Sequence, residues 1–110
     1  MPHIRVRGMP FEIVESISAE LIESVAKITE APNSHFTLEY QAVTYIVAGG
    51  ASPSYPFFDI IWFDRGQEVK TKVASCIDHL IRPLIPEEQD IAIVFHSING
   101  ENYYENTEHF

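Results

Sequence analysis

The chain has 110 residues, 45% hydrophobic and 12% aromatic, enough for one domain with a modest core rather than a disordered segment. Sixteen acids against seven bases give a formal charge of −9, which disfavours nucleic acid and anionic lipid as partners, because both are held by cationic surface. No stretch reaches the roughly 18 apolar residues of a membrane span, no signal-peptide pattern opens the chain, and a single Cys76 excludes an internal disulfide, so a cytoplasmic, reducing setting is expected.

Pro2 precedes His3-Ile4-Arg5-Val6-Arg7, in which Ile4 and Val6 share one face and His3, Arg5 and Arg7 the other. That period of two predicts a strand, ended by Gly8. Pro10 suits the first turn of a helix. Val14, Ile17, Leu21, Val25 and Ile28 then form one apolar stripe, and Pro32-Asn33 stops it. From Phe36 to Ala48 a strand pattern changes phase. Phe36, Leu38, Tyr40 and Ala42 alternate with polar residues, and then the bulky set moves to Val43, Tyr45 and Val47. This predicts a bulge or bend. The segment could reach about 43 Å at ~3.3 Å per residue, longer than a small sheet uses. Its far half is expected to pair with a neighbouring chain, the alternative being a two-part strand within one subunit.

Gly49 to Ser54 form a small-residue connector. Pro56 to Phe63 is apolar almost throughout, the pattern of a strand buried on both faces. Asp64 with Gln67 has the spacing of a helix capping box. Val69, Val73, Cys76, Ile77, Leu80 and Leu84 carry the next helical stripe, with Pro83 near its end. Ile91 to Phe95 is the final strand, Asn99-Gly100 a turn signal, and 101–110 an acidic, aromatic tail.

The halves repeat. Pro2 and Pro32 lie 30 residues apart, as do Pro56 and Pro86, and each pair brackets strand, helix and strand. The expected fold class is α+β: two pseudo-symmetric β-α-β units, about residues 1–50 and 55–100, in a single domain over 1–110. Right-handed crossovers give a four-stranded mixed sheet with both helices on one face. The other face, apolar along Phe57 to Phe63, then needs cover, and another subunit is the economical one.

"MPHI", the doubled unit, "AGGASPSYP" and "IPEEQDIAI" together resemble the tautomerase superfamily. That superfamily includes macrophage migration inhibitory factor, oxalocrotonate tautomerase and carboxymethyl-hydroxymuconate isomerase. The match is similar to a bacterial branch of unassigned function. The resemblance implies a trimer, no cofactor, and an active site between subunits built around an amino-terminal proline. Proline is small, so aminopeptidase should remove Met1. The α-amino group of Pro2 would start near pKa 7.7–8.0 and fall with burial or nearby cations. It could then take a proton from carbon beside a carbonyl, a keto–enol tautomerisation without metal. The competing reading is that Pro2 merely opens a strand.

A keto-acid substrate needs a cation for its carboxylate. Arg65 is the first candidate. It follows Asp64 into the first turn of the second helix, where a cation opposes the helix dipole unless it builds an anion site with free N–H groups. Pairing with Asp64 is the alternative. Arg5 and Asp59 hold equivalent places in the two halves and are expected to pair, leaving Arg7 to face a ligand. Five scattered histidines show no metal-ligand spacing, so no metal site is expected. Cys76, on a buried stripe, is expected to be inert. Tyr103, Tyr104 and Phe110 are expected to pack on a subunit or close the pocket mouth.

The expected function is a cofactor-free tautomerase or isomerase of small keto or enol acids, with Pro2 as general base and Arg65 and Arg7 binding substrate. The alternative is a non-catalytic oligomeric binding module. It is favoured by the missing cation at Ala31-Pro32-Asn33 and by Ala92 and Val94, where the growth-factor-like branch has a tyrosine and an asparagine.

Overall fold

The alternation of His3–Arg7 makes strand β1 the middle of the structure, with Ile4 and Val6 wholly buried, in a computed structural model that describes all 110 residues. β1 ends at Gly8, whose φ of +85° suits glycine. A Cβ there would meet the Tyr55 carbonyl oxygen at 1.9 Å. Gly8→Ala is therefore expected to destabilise the protein by at least about 2 kcal/mol, from left-handed strain plus a backbone clash. A urea titration in which the midpoint does not move would disprove this.

Helix α1 (Phe11–Thr29) follows, with Pro10 as its N-cap rather than a residue of its first turn. Val14, Ile17, Leu21 and Val25 are buried as the stripe requires, and Ala26 and Thr29 join them. The buried Thr29 hydroxyl is satisfied by donating to the Val25 carbonyl at 2.9 Å.

Strand β2 (Thr37–Gln41) lies parallel to β1, with His3 opposite Thr37. The predicted long strand stops there. Ile46–Val47 (β3) instead folds back onto Gly50–Ala51 (β4), so the phase change marks the start of a separate two-stranded ribbon. Part of the small-residue connector is thus itself a strand. Ile46 is 79% exposed on this ribbon, and Tyr45 ties its foot by donating its hydroxyl to the Tyr55 carbonyl at 3.1 Å.

Strand β5 (Phe57–Phe63) runs antiparallel to β1 and parallel to β6 (Ala92–Ile98), giving a four-stranded mixed sheet in the order β2-β1-β5-β6. Helix α2 (Gln67–Ile81) starts later than the capping-box spacing predicts. Gly66 is the N-cap at φ +89°, and Asp64 accepts the Gly66 N–H at 3.1 Å one step before the helix. Glycine turns the chain here more sharply than an Asp64 cap could. Val73, Ile77 and Ile81 carry the buried stripe, while Leu84 falls in a short 3₁₀ turn and is 43% exposed.

Both helices cover one sheet face, and Trp62, Phe58, Ile60, Ile4 and Leu21 fill the space between without exposed surface. The fold class is the α+β arrangement expected. No helix covers the opposite face, which carries the odd-numbered residues of β1, β2 and β5 and the even-numbered residues of β6. No helix is long and apolar enough to cross a membrane.

The tail turns at Gly100–Asn102 and forms a ribbon of β7 (Tyr104–Glu105) and β8 (Glu108–His109). Asn106 and Thr107 both take positive φ at its tip, as a tight two-residue hairpin requires. Phe110 and Tyr103 pack on Phe63, with ring centroids 5.1–5.7 Å apart. These aromatics therefore pack within their own chain.

Candidate functional site

A cavity of about 540 Å³ opens on the uncovered face at the amino-terminal end of β1. Its floor is Met1, His3, Thr37 and Ile61, one side is Ser34 and His35, and Tyr103, Glu105 and Phe110 of the tail close another. Three local features place it. Pro32 starts the 3₁₀ turn Asn33–His35 that leads into β2. The Thr37 N–H donates to the Pro2 carbonyl at 3.1 Å, fixing the start of the strand pair. The amino terminus of Met1 donates to the His35 carbonyl at 2.8 Å. Pro2 itself is fully buried, and with Met1 in place its nitrogen is a tertiary amide without a proton or useful basicity.

His3 is held from both ends. Its Nε2 lies 2.8 Å from Glu39 Oε1, and its Nδ1 meets the Thr37 hydroxyl. A carboxylate only accepts, so in the neutral imidazole Nε2 carries the proton and Nδ1 is left to accept from Thr37. Glu39 also accepts from Arg5 Nε at 3.2 Å and from Gln41 Nε2 at 3.2 Å. The His3 hydrogen bond foremost, then that of Gln41, holds the Glu39 carboxyl below its usual range against a smaller opposing effect of burial. The Tyr103 hydroxyl donates to Glu105 at 3.0 Å, and burial, with that carboxylate, pushes its phenol up.

The two candidate arginines stand elsewhere. Arg7, at the other end of β1, donates to Asp59 at 2.7 Å and lies 4.1 Å from the centre of the Phe57 ring. Asp59 is opposite Arg5 in the strand register, yet it pairs with Arg7 while Arg5 turns to Glu39. The expected Arg5–Asp59 pair is thus replaced by a diagonal one, and Arg7 is the less free of the two. His96 adds a second contact to Asp59 at 2.8 Å. Burial alone would raise the Asp59 carboxyl, but His96 and Arg7 outweigh it and hold it low.

Arg65 lies in the loop before α2, not in its first turn. Its Nη1 reaches the Thr29 carbonyl at 3.4 Å, and its Cζ stands 5.9 Å from the Trp62 ring centre. At the carboxyl end of α1 the charge complements the helix dipole instead of opposing it. Asp64 pairs with Lys70 at 3.7 Å, not with Arg65. Arg65 Nε is buried without a partner. Neither arginine lines the cavity.

Glu39 and Thr37 escaped the sequence reading as site residues. The signal was their shared parity, opposite to Leu38 and Tyr40, but only the parallel register with β1 brings them to His3. Cys76 is half-buried, not one of the buried residues of the α2 stripe as expected, and burial is the largest influence that pushes its thiol up. No group of three histidine, cysteine, aspartate or glutamate side chains is gathered closely enough to hold a metal ion.

The lowered carboxyls set an acid limit on stability. Below the ordinary values of 4.5 for Glu39 and 3.8 for Asp59 the unfolded chain binds protons before the folded one does, so stability falls as pH drops through that window. Urea midpoints at about pH 3 should lie below those at about pH 6, and Asp59→Asn should flatten the difference. An unchanged slope in that variant would rule Asp59 out.

No curated protein matches the chain. The solved structure of a domain of unknown function from Sebaldella termitidis is 34% identical, with a TM-score of 0.93 and full coverage of both chains. A macrophage migration inhibitory factor-like protein from Entamoeba histolytica is 17% identical, with a TM-score of 0.77 over 99% of this chain and 98% of its own. The fused 4-OT wild-type asymmetric trimer is 15% identical, with a TM-score of 0.82 over 98% and 95%. At those identities the last two establish the fold, that of the tautomerase superfamily. The family described as "Domain of unknown function (DUF1904)" matches residues 1–109, and the chain belongs to it.

Proposed function

We propose that the protein is a cofactor-free tautomerase or isomerase of small keto or enol acids, working in the cytoplasm with Pro2 as general base once Met1 is removed. The observation that carries this reading is the cavity at Met1. Met1 lines the cavity and is bonded to the nitrogen of the buried Pro2, so its removal would leave a secondary amine next to the lining residues Met1 now adjoins, although Pro2 itself is not one of them. The buried Pro2 ring fixes where that amine points, which narrows the geometric spread of the base. A trimer is the proposed assembly. It is supported by the uncovered sheet face and by the likeness to the fused 4-OT trimer.

The test has two stages. Intact mass of protein from its own cell reports whether Met1 is gone. Met1-free protein and Pro2→Ala are then assayed with phenylpyruvate and 2-hydroxymuconate. Turnover that Pro2→Ala does not reduce would refute the assignment. The second reading, a non-catalytic oligomeric binding module, is favoured by the absence of Arg7 and Arg65 from the cavity lining. It predicts ligand binding without turnover by Met1-free protein.

A further inference from the structure

We propose that His3, acting through the Thr37 hydroxyl, is a second proton-transfer group of the cavity, opposite in role to Pro2, and that Glu39 positions it. The ligand is the enol or enolate oxygen of a small 2-keto acid, so this proposal rests on the function proposed above.

Three observations support it. His3 and Thr37 both line the cavity, on neighbouring strands in direct register. Glu39 fixes the imidazole with Nε2 protonated and Nδ1 basic, and Nδ1 is the atom that meets Thr37. Glu39 is itself held by Arg5 and Gln41, so the base has an anchored orienter. This is the arrangement in which a carboxylate sets a histidine tautomer and the histidine takes a hydroxyl proton. The second ionic cluster on the same face, His96 with Asp59 and Arg7, has no hydroxyl between imidazole and cavity and lines no part of it.

The proton balance closes without a co-reactant. In ketonisation the C=C pair of the enol takes a proton from the Pro2 ammonium and becomes the new C–H bond, while the pair released as the enol O–H breaks becomes the second bond of the C=O. The enol O–H proton passes to the Thr37 oxygen as Thr37 gives its own to His3 Nδ1. The product is the keto acid, with neutral Pro2 and a His3 imidazolium stabilised by Glu39. Return of that proton to Pro2 through water resets the site. Enolisation runs the same steps backwards.

The charged or titratable groups facing His3 are Glu39 on β2, Arg5 on its own strand, His35 and the amino terminus beside it, and Tyr103 and Glu105 on the tail; β5 offers only Ile61. The experiment compares Met1-free native protein with His3→Gln, Thr37→Val, Glu39→Gln and Pro2→Ala, and with His96→Gln as the control on the other cluster. Measurements are kcat/KM against pH for phenylpyruvate ketonisation, and the imidazole nitrogen shifts of His3 with and without oxalate, a planar stand-in for an enolate. Expected are a loss of about 10²-fold in kcat for His3→Gln, about tenfold for Thr37→Val, and loss of the His3 limb of the pH profile in both. Glu39→Gln should release the fixed tautomer in the nitrogen spectrum, a change that a merely structural role would not produce. Oxalate should shift His3 Nδ1 in native protein but not in Thr37→Val, a readout that needs no turnover. Turnover lowered about 10²-fold by Pro2→Ala yet kept in His3→Gln and Thr37→Val would overturn the relay alone. No turnover by native protein would overturn the tautomerase reading and the relay with it.

Discussion

Pro2→Ala in Met1-free protein is expected to lower kcat/KM for an enolisable 2-keto acid by about 10²-fold, within the range that a positioned general base contributes. Alanine keeps an amino-terminal nitrogen, so some turnover should survive. What is lost is the ring. Pro2 is wholly enclosed, and its ring holds the nitrogen in one place at the head of β1. The same substitution removes about two buried methylene groups, at about 0.8 kcal/mol each. The melting temperature should therefore drop by several degrees without loss of the fold. A chain carrying one extra residue ahead of Pro2 separates the two effects. It should keep the native melting temperature and show no turnover, because the nitrogen becomes an amide. Activity in that extended chain would exclude Pro2 as the base.

Trp62→Ala is expected to cost about 3–5 kcal/mol, the range for emptying a large buried aromatic site. Trp62 has no exposed surface and packs on Phe95 with centroids 4.8 Å apart, at the centre of the layer between sheet and helices. A domain of this size holds only about 5–15 kcal/mol in total. The variant should therefore melt close to physiological temperature, followed by far-UV circular dichroism because the chain has only this tryptophan. Trp62→Phe should be far milder. The indole Nε1 is buried without a hydrogen-bond partner, and its removal relieves a donor that costs about 1–3 kcal/mol to leave unpaired. That gain offsets much of the lost volume. Equal destabilisation by phenylalanine and alanine would disprove the offset.

Much of the architecture was legible because it follows from periodicity. Ile4 and Val6 against His3, Arg5 and Arg7 could only be a strand with one dry face, and the spacing of Val14, Ile17, Leu21 and Val25 could only be a helix with one. The doubled unit then left little choice of topology. Local turns were less legible. Gly66 took the cap from Asp64 because positive φ turns the chain where a side-chain cap does not. The strand from Phe36 ended at Gln41 because the following residues found a partner in their own connector, and alternation does not reveal where a strand finds its neighbour.

The site was the least legible part. Pro2 stood out on its own position, but His3 acquires meaning only from Thr37 and Glu39 across from β1. Arg65 looked like an anion binder because its helix was placed two residues too early. Two residues of displacement carry it from the start of α2, where it would be costly, to the end of α1, where it is favourable.

The uncovered sheet face has a final consequence in its arithmetic of charge. Arg5 and Arg7 balance Glu39 and Asp59 there, so its fixed charges cancel while the whole chain carries −9. The surplus therefore sits on the helices, loops and tail. A second copy approaching flank to flank meets the most repulsion and one approaching through the sheet the least, so the field of the surplus charge biases encounters toward one orientation before any contact forms.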